Sequence, residues 1–232
     1  MRLIPAIRGS VVALALAIGG SKLSAAPIPT DSPSSDVTPG DVAASNAKVW
    51  AAYDALVAMW SADFKQIGER FSAPGMARYR MRIRTPCGYL NPENAEYCAA
   101  NNTIYFDDVF VAGQVKTAAE ALGTDGDMAG VDIIAHEMGH AVAQQLGYKY
   151  RKSYANEATA DCLAGAFARH AATDGSLEEG DIREAEFGMS SGGDPSPGRT
   201  VHGTAEQRVE NFRNGVRGGA GACLSDFRGL RG

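Results

Sequence analysis

The chain lacks the features that would suggest a nucleic-acid partner, a membrane span or a thiol-held metal. Lys and Arg number 22 against 27 Asp and Glu, for a formal net charge of −5, so there is no basic excess to meet a phosphate backbone. The N-terminal apolar segment Val11–Ile18 falls far short of the ~20 residues a spanning helix needs. Cysteine occurs only 4 times and never at C-x-x-C spacing, which argues against the common thiolate metal sites. There is no internal repeat. Histidine is as scarce, at 4 in 232 residues, so any two at a meaningful spacing carry information.

Residues 1–26 read as a secretory signal. Arg2 and Arg8 precede the short apolar segment, and small residues Ser24-Ala25-Ala26 follow it. Cleavage there would remove Arg2, Arg8 and Lys22 and leave a more acidic mature chain with no membrane span. Export to an extracytoplasmic compartment, secreted or in a bacterial cell envelope, makes disulfides the natural use of four cysteines, although four allow three pairings. Cys87 and Cys98 bracket the turn-rich Gly88–Asn94 stretch, which suggests a local bridge and leaves Cys162 with Cys223.

Residues 27–44 are Pro-rich, polar and aperiodic, so they read as a flexible linker, with one domain over 45–232. From Asn46 to Ile67 the apolar residues recur at helical steps. Tyr79–Ile83 alternates as a half-buried strand with arginines outward, and Thr103–Phe106 is a second strand-like run; joined by the cysteine-bounded loop, they suggest a small antiparallel sheet. Helical signals cover Gln114–Leu122, the long run Met128–Leu146, a segment capped by Ser153, and Asp181–Phe187. The loop Gly188–Gly198 follows, and then a helix opened by a Thr204/Gln207 capping box with Val209, Phe212 and Val216 on its apolar face. The fold class expected is α+β, mainly α.

The chain is organised around His136-Glu137-Met138-Gly139-His140. Two imidazoles four residues apart on a helix lie about 40° apart around its axis, so both can reach one ion. Glu137 stands beside such an ion without being needed as a ligand, a position suited to taking a proton from water. Catalytic zinc normally takes three protein ligands. From His140 to Gly147 the chain climbs about 10 Å, and an antiparallel return brings Glu157 back to the same level, where it can close the site. Asp161, one turn further, can accept a hydrogen bond from the distal nitrogen of a ligand histidine. His202, just before a helix N-terminus, is a candidate catalytic donor to a developing oxyanion, and His170 near a helix end suits the dipole.

These residues resemble a known family. Ile104–Asp107, Ile134–His140, Glu157–Cys162 and His202–Arg208, in that order, resemble the putative neutral zinc metallopeptidases of bacteria over about Trp50 to Cys223. The H-E-x-x-H plus E-x-x-x-D arrangement is also similar to the wider gluzincin class. The resemblance implies a zincin-like core, one zinc ion on His136, His140 and Glu157, Glu137 as general base, Asp161 behind the ligands, and a peptide or protein substrate. Ala141 stands where the family usually has a further histidine, and Phe187–Ser191 replaces its acidic pair. The expected function is an exported zinc endopeptidase; a cell-wall peptide (amide) hydrolase and a catalytically silent exported zinc-binding or adaptor protein are the alternatives.

Overall fold

Thr38 starts the first helix before any apolar periodicity is visible. Its side chain accepts the Asp41 N–H at 3.2 Å, the Asp41 carboxylate accepts the Thr38 N–H at 2.8 Å, and Pro39 supplies a preset first turn. The computed structural model describes residues 37–148, 153–193 and 201–229. The expected signal segment, most of the expected linker and Asp194–Gly198 of the expected loop lie outside these residues. Helix α1 runs Pro39–Gln66, so residues 39–44 are helical rather than linker. Composition misled here: the proline and glycine of Thr38-Pro39-Gly40-Asp41 belong to a helix start.

Five short strands follow: β1 (Gly75–Tyr79), β2 (Ile83–Thr85), β3 (Gly88–Leu90), β4 (Ala95–Cys98) and β5 (Thr103–Asp107). Tyr79–Ile83 is not one strand. The chain leaves β1 at Tyr79, and Arg80 forks onto Asp108 with contacts of 2.6 and 2.8 Å while Met81 is exposed. Of the expected Tyr79–Ile83 run only Tyr79 belongs to β1, which pairs with β5 in parallel; the antiparallel partner of β5 is β4, and β2–β3 is a separate antiparallel hairpin. The three-stranded order β1-β5-β4 leaves β4 at an edge.

Asp107 ends β5 and accepts the N–H groups of Val109 and Phe110, so Val109–Val111 opens helix α2 (Asp108–Leu122) rather than extending the strand. Next come α3 (Asp127–Gln145), α4 (Tyr154–Asp174), α5 (Asp181–Ser191), α6 (Ala205–Gly218) and the short α7 (Ala220–Cys223). Ser153 precedes α4 as expected but makes no side-chain cap bond, and Gly188–Ser191, expected in a loop, completes α5. The architecture is mainly helical α+β. Among the described residues no helix is long and apolar enough to cross a membrane.

Helix α3 is surrounded by α1, α2, α4, α5 and β4, which is why its sequence reads as apolar all round. Its Ile134 and Met138 join Leu163, Phe212, Ile104 and Phe106 in the core. Phe227, near the C-terminus, packs at 5.6 Å from Trp60 and 5.8 Å from Phe64 of α1. Each such fully buried aromatic contributes roughly 2–3 kcal/mol of apolar burial. Disulfides join Cys87 to Cys98 and Cys162 to Cys223. The second ties α4 to the chain's end across a separation of 61 residues, worth about 4 kcal/mol in the chain-entropy account.

Small residues set the helix spacing. Gly139 of α3 lies against Ala160 of α4, where an added Cβ would stand 3.0 Å from the Ala160 Cα. Gly165 of α4 lies on another side of that helix and faces α6 through the Phe212 carbonyl.

Candidate metal centre

Helices α3 and α4 bring His136, His140 and Glu157 together as the spacing predicts. One ligand atom from each lies within 4.8 Å of the others, and all three side chains are buried. His136 Nε2 and His140 Nε2 stand 3.1 and 3.5 Å from the same oxygen, Glu157 Oε2. The rings meet edge to face with centroids 4.7 Å apart. Two imidazoles and one carboxylate converging on one point is the donor set of catalytic zinc, so these residues fit that ion.

Behind the ligands, His136 Nδ1 lies 2.8 Å from Asp161 Oδ1, which leaves Nε2 to face the centre. Asp161 is fully buried and paired with Arg208, whose Nη2 donates to Oδ1 at 2.6 Å and whose Nε donates at 3.2 Å. A further Arg208 donation at 3.1 Å fixes the Gly192 carbonyl. Arg208 also passes 3.3 Å from His136 Nδ1, a close approach rather than a bond while that nitrogen serves Asp161.

The electrostatics favour a cation. Burial pushes the His136 pKa down, but hydrogen bonds with Asp161 and Glu157 outweigh it and raise the value to about 10. Burial alone would raise Glu157, yet its bonds with His136 and His140 hold it well below the usual carboxylate range. Two carboxylates that draw a proton onto a buried imidazole supply the same field to a metal ion.

Glu137 is buried beside the centre, and its Oε2 accepts the Tyr97 N–H of edge strand β4 at 2.6 Å. That contact joins the helix of the histidines to the sheet. His136, His140, Glu157, Glu137 and Arg208 line one cavity of about 490 Å³ together with Ala95 and Glu96 of β4, Asp132, Met189 and His202. His202 is exposed at the mouth, just ahead of the α6 cap, where Thr204 and Gln207 bond reciprocally.

Three features were not assigned a role from sequence. Arg208 sits within the quoted His202–Arg208 run, and its spacing to Phe212 and Gly215 puts it on the buried face of α6; Val209 and Val216 are only half-buried. Asp132 lies one turn before His136 and is buried at the cavity wall, and that burial holds its carboxyl well above the usual range. The Tyr97–Glu137 bond has no local signal at all.

Comparison with known proteins places this geometry in context. A family model described as "Putative neutral zinc metallopeptidase" matches residues 41–227. The uncharacterized protein YpfJ of Escherichia coli (strain K12) is 32% identical over 197 residues, covering 72% of this chain and 66% of its own length. An uncharacterized protein of Mycobacterium bovis is 28% identical over 203 residues, covering 74% of this chain and 67% of its own. The chain thus spans just under two thirds of the E. coli relative. No solved structure matches it.

Proposed function

The chain belongs to the putative neutral zinc metallopeptidase family, and from that premise we propose that it is an exported zinc-dependent endopeptidase. The observation that carries the reading is the convergence of His136, His140 and Glu157 on one point with Glu137 tethered beside it. Zinc held by those three side chains would supply Lewis acidity to the scissile carbonyl and lower the pKa of water in the site.

The protein's own groups do the rest. Glu137 keeps one oxygen on the Tyr97 N–H, so the other is available to take a proton from the attacking water and hand it later to the leaving amine. Each turnover therefore restores its charge. Asp161 and Arg208 hold His136 in the tautomer that turns Nε2 toward the centre. In this reading His202, exposed and lining the same cavity, donates to the oxyanion formed as the peptide carbonyl is attacked. Ala95 and Glu96 of edge strand β4 line the same cavity, so an extended peptide can be received there by strand addition. The two disulfides suit an oxidising, extracytoplasmic setting.

The test compares wild type with Glu137→Gln for bound zinc and for hydrolysis of casein and a peptide library. The variant should keep one zinc and lose turnover by about 10²-fold or more. Equal hydrolysis by both would remove Glu137 from the chemistry, and zinc binding with no hydrolysis by wild type would favour the silent binding protein.

A further inference from the structure

A second group of acidic side chains lies away from the histidines. Asp125 and Asp127 come from the turn into α3, and Asp181 and Glu184 from the first turn of α5; one carboxylate oxygen of each lies within 4.8 Å of the others. We propose that this cluster binds one calcium ion, which clamps the start of α3 to the start of α5.

Acidic residues at two helix N-termini have an ordinary explanation, since each favours the dipole of its own helix. That explanation leaves one observation unaccounted for. Glu184 is fully buried, and while its Oε2 accepts the Met128 N–H at 3.0 Å, its Oε1 has no hydrogen-bond partner among the described residues. Thr124 Oγ1, next to Asp125, is orphaned in the same way. The two flank one turn: a Cβ built on Gly180 would stand 3.8 Å from Glu184 Oε1 and 3.0 Å from Thr124 Cγ2. A buried carboxylate oxygen without a donor is costly, and a cation removes that cost.

The charge balance points the same way. Lys48 of α1 pairs with Asp127 and lies 3.9 Å from Asp125, but one ammonium cannot balance four carboxylates. Burial, followed by the repulsion of Asp127, Glu184 and Asp125, raises Asp181 above its usual range. The donors are all oxygen, which selects a hard cation over zinc or copper. Calcium accepts six to eight oxygens in adaptable geometry, carbonyls and hydroxyls included, whereas magnesium demands a tight octahedron and keeps its water. The cluster shares no ligand with the His136–His140–Glu157 centre, and its occupancy does not depend on the peptidase reading. Its effect on that centre is mechanical: it fixes the N-terminus of the helix that presents both histidines.

The test uses the full mature chain, stripped with chelator, dialysed and returned one equivalent of zinc. Calcium chloride is then titrated in, with equilibrium dialysis of radiolabelled calcium and thermal unfolding as readouts. We expect one calcium per chain with a Kd of about 10⁻⁴–10⁻³ M, the range of extracellular modules, and a Tm raised by several degrees at saturation. Asp125→Asn, at an exposed position, and Asp181→Asn should each weaken binding about ten-fold or more, while Glu157→Gln leaves it unchanged. The proposal is overturned by the absence of saturable calcium binding, by binding that survives both aspartate substitutions, or by binding lost in Glu157→Gln. Magnesium bound as tightly as calcium would overturn the choice of ion.

Discussion

Arg208 donates to both carboxylate oxygens of Asp161, with its shortest contact 2.6 Å, and the same carboxylate holds His136 Nδ1 at 2.8 Å. Asp161 and Arg208 are both buried, so neither charge is screened by water. Arg208→Ala would strand a buried carboxylate, at a cost of roughly 3–5 kcal/mol. With the histidine's support loosened, zinc affinity should fall about 10–100-fold. Denaturant unfolding and competition against a chromophoric chelator measure the two effects. A variant that unfolds and binds zinc like wild type would sever Arg208 from the centre.

The parts of the site visible in sequence are those carried by one helix or by two consecutive ones. His136 and His140 share a face because of their spacing, and Glu157 and Asp161 follow on the next helix, across a short connection. Arg208 was harder to place, since nothing local says which of many cations turns inward; only its four-residue step to Phe212 marks the buried face. The Tyr97–Glu137 bond depends on how closely a sheet edge approaches a helix, and no residue pattern encodes that distance. The same holds for the fold. Helices with clear periodicity or a Thr204-type box were legible, whereas the parallel pairing of β1 with β5 is a long-range choice that two short runs leave open. The start of α1 is hidden in the sequence because a proline at the first helical position looks like a linker proline, and only the reciprocal Thr38–Asp41 bonds mark it as a helix start.

Without metal, the centre should show a pH dependence of its own. His136 rises from 6.5 to about 10 on folding, so its contribution to stability is complete below about pH 6.5 and is lost as pH climbs through about 10. Glu157 shifts the other way, downward from 4.5, so its contribution is present above that value and is lost as pH falls toward its lowered folded value. Metal-free protein should therefore be most stable between about pH 5 and 6.5. Zinc bound at this centre would take the place of the His136 proton, so zinc-loaded protein should hold its Tm above neutrality, and zinc binding near pH 7 should release a proton. Melts across pH with and without zinc, and calorimetry in buffers of different ionisation enthalpy, check both. A metal-free Tm that keeps rising from pH 7 to 10 would contradict the His136 assignment.

His202 is exposed at the cavity mouth, so its removal should barely touch stability. If it donates to the developing oxyanion, His202→Ala should lower kcat by about 100-fold, the lower end of what one such donor supplies. Zinc content and Tm should stay at wild-type values. Steady-state kinetics on a peptide substrate separate the roles: a loss confined to KM would make His202 a binding residue, and no change at all would leave it without a part in the reaction.

The distance between α4 and α6 sets where Asp161 meets Arg208, and two glycines hold it. A Cβ on Gly215 would stand 1.8 Å from the Cys162 carbonyl oxygen and 2.7 Å from the Ala166 nitrogen; on Gly165 it would stand 1.9 Å from the Phe212 carbonyl oxygen. These neighbours are backbone atoms and cannot swing aside, so the helices themselves must separate. Gly215→Ala should cost about 1–3 kcal/mol or more, despite the gain in helix propensity. Because α4 carries Glu157 and Asp161 while α6 carries Arg208, the same displacement should weaken zinc binding. Gly40→Ala is the control, since the nearest atom to its added Cβ is the Thr38 hydroxyl at 3.5 Å, and replacing a helical glycine there should be neutral or stabilising by about 0.5–1 kcal/mol. Unfolding and zinc competition on Gly165→Ala, Gly215→Ala and Gly40→Ala test the packing directly. If the first two resembled the third, helix spacing would have slack, and the position of Arg208 against Asp161 would have to be set by something other than this crossing.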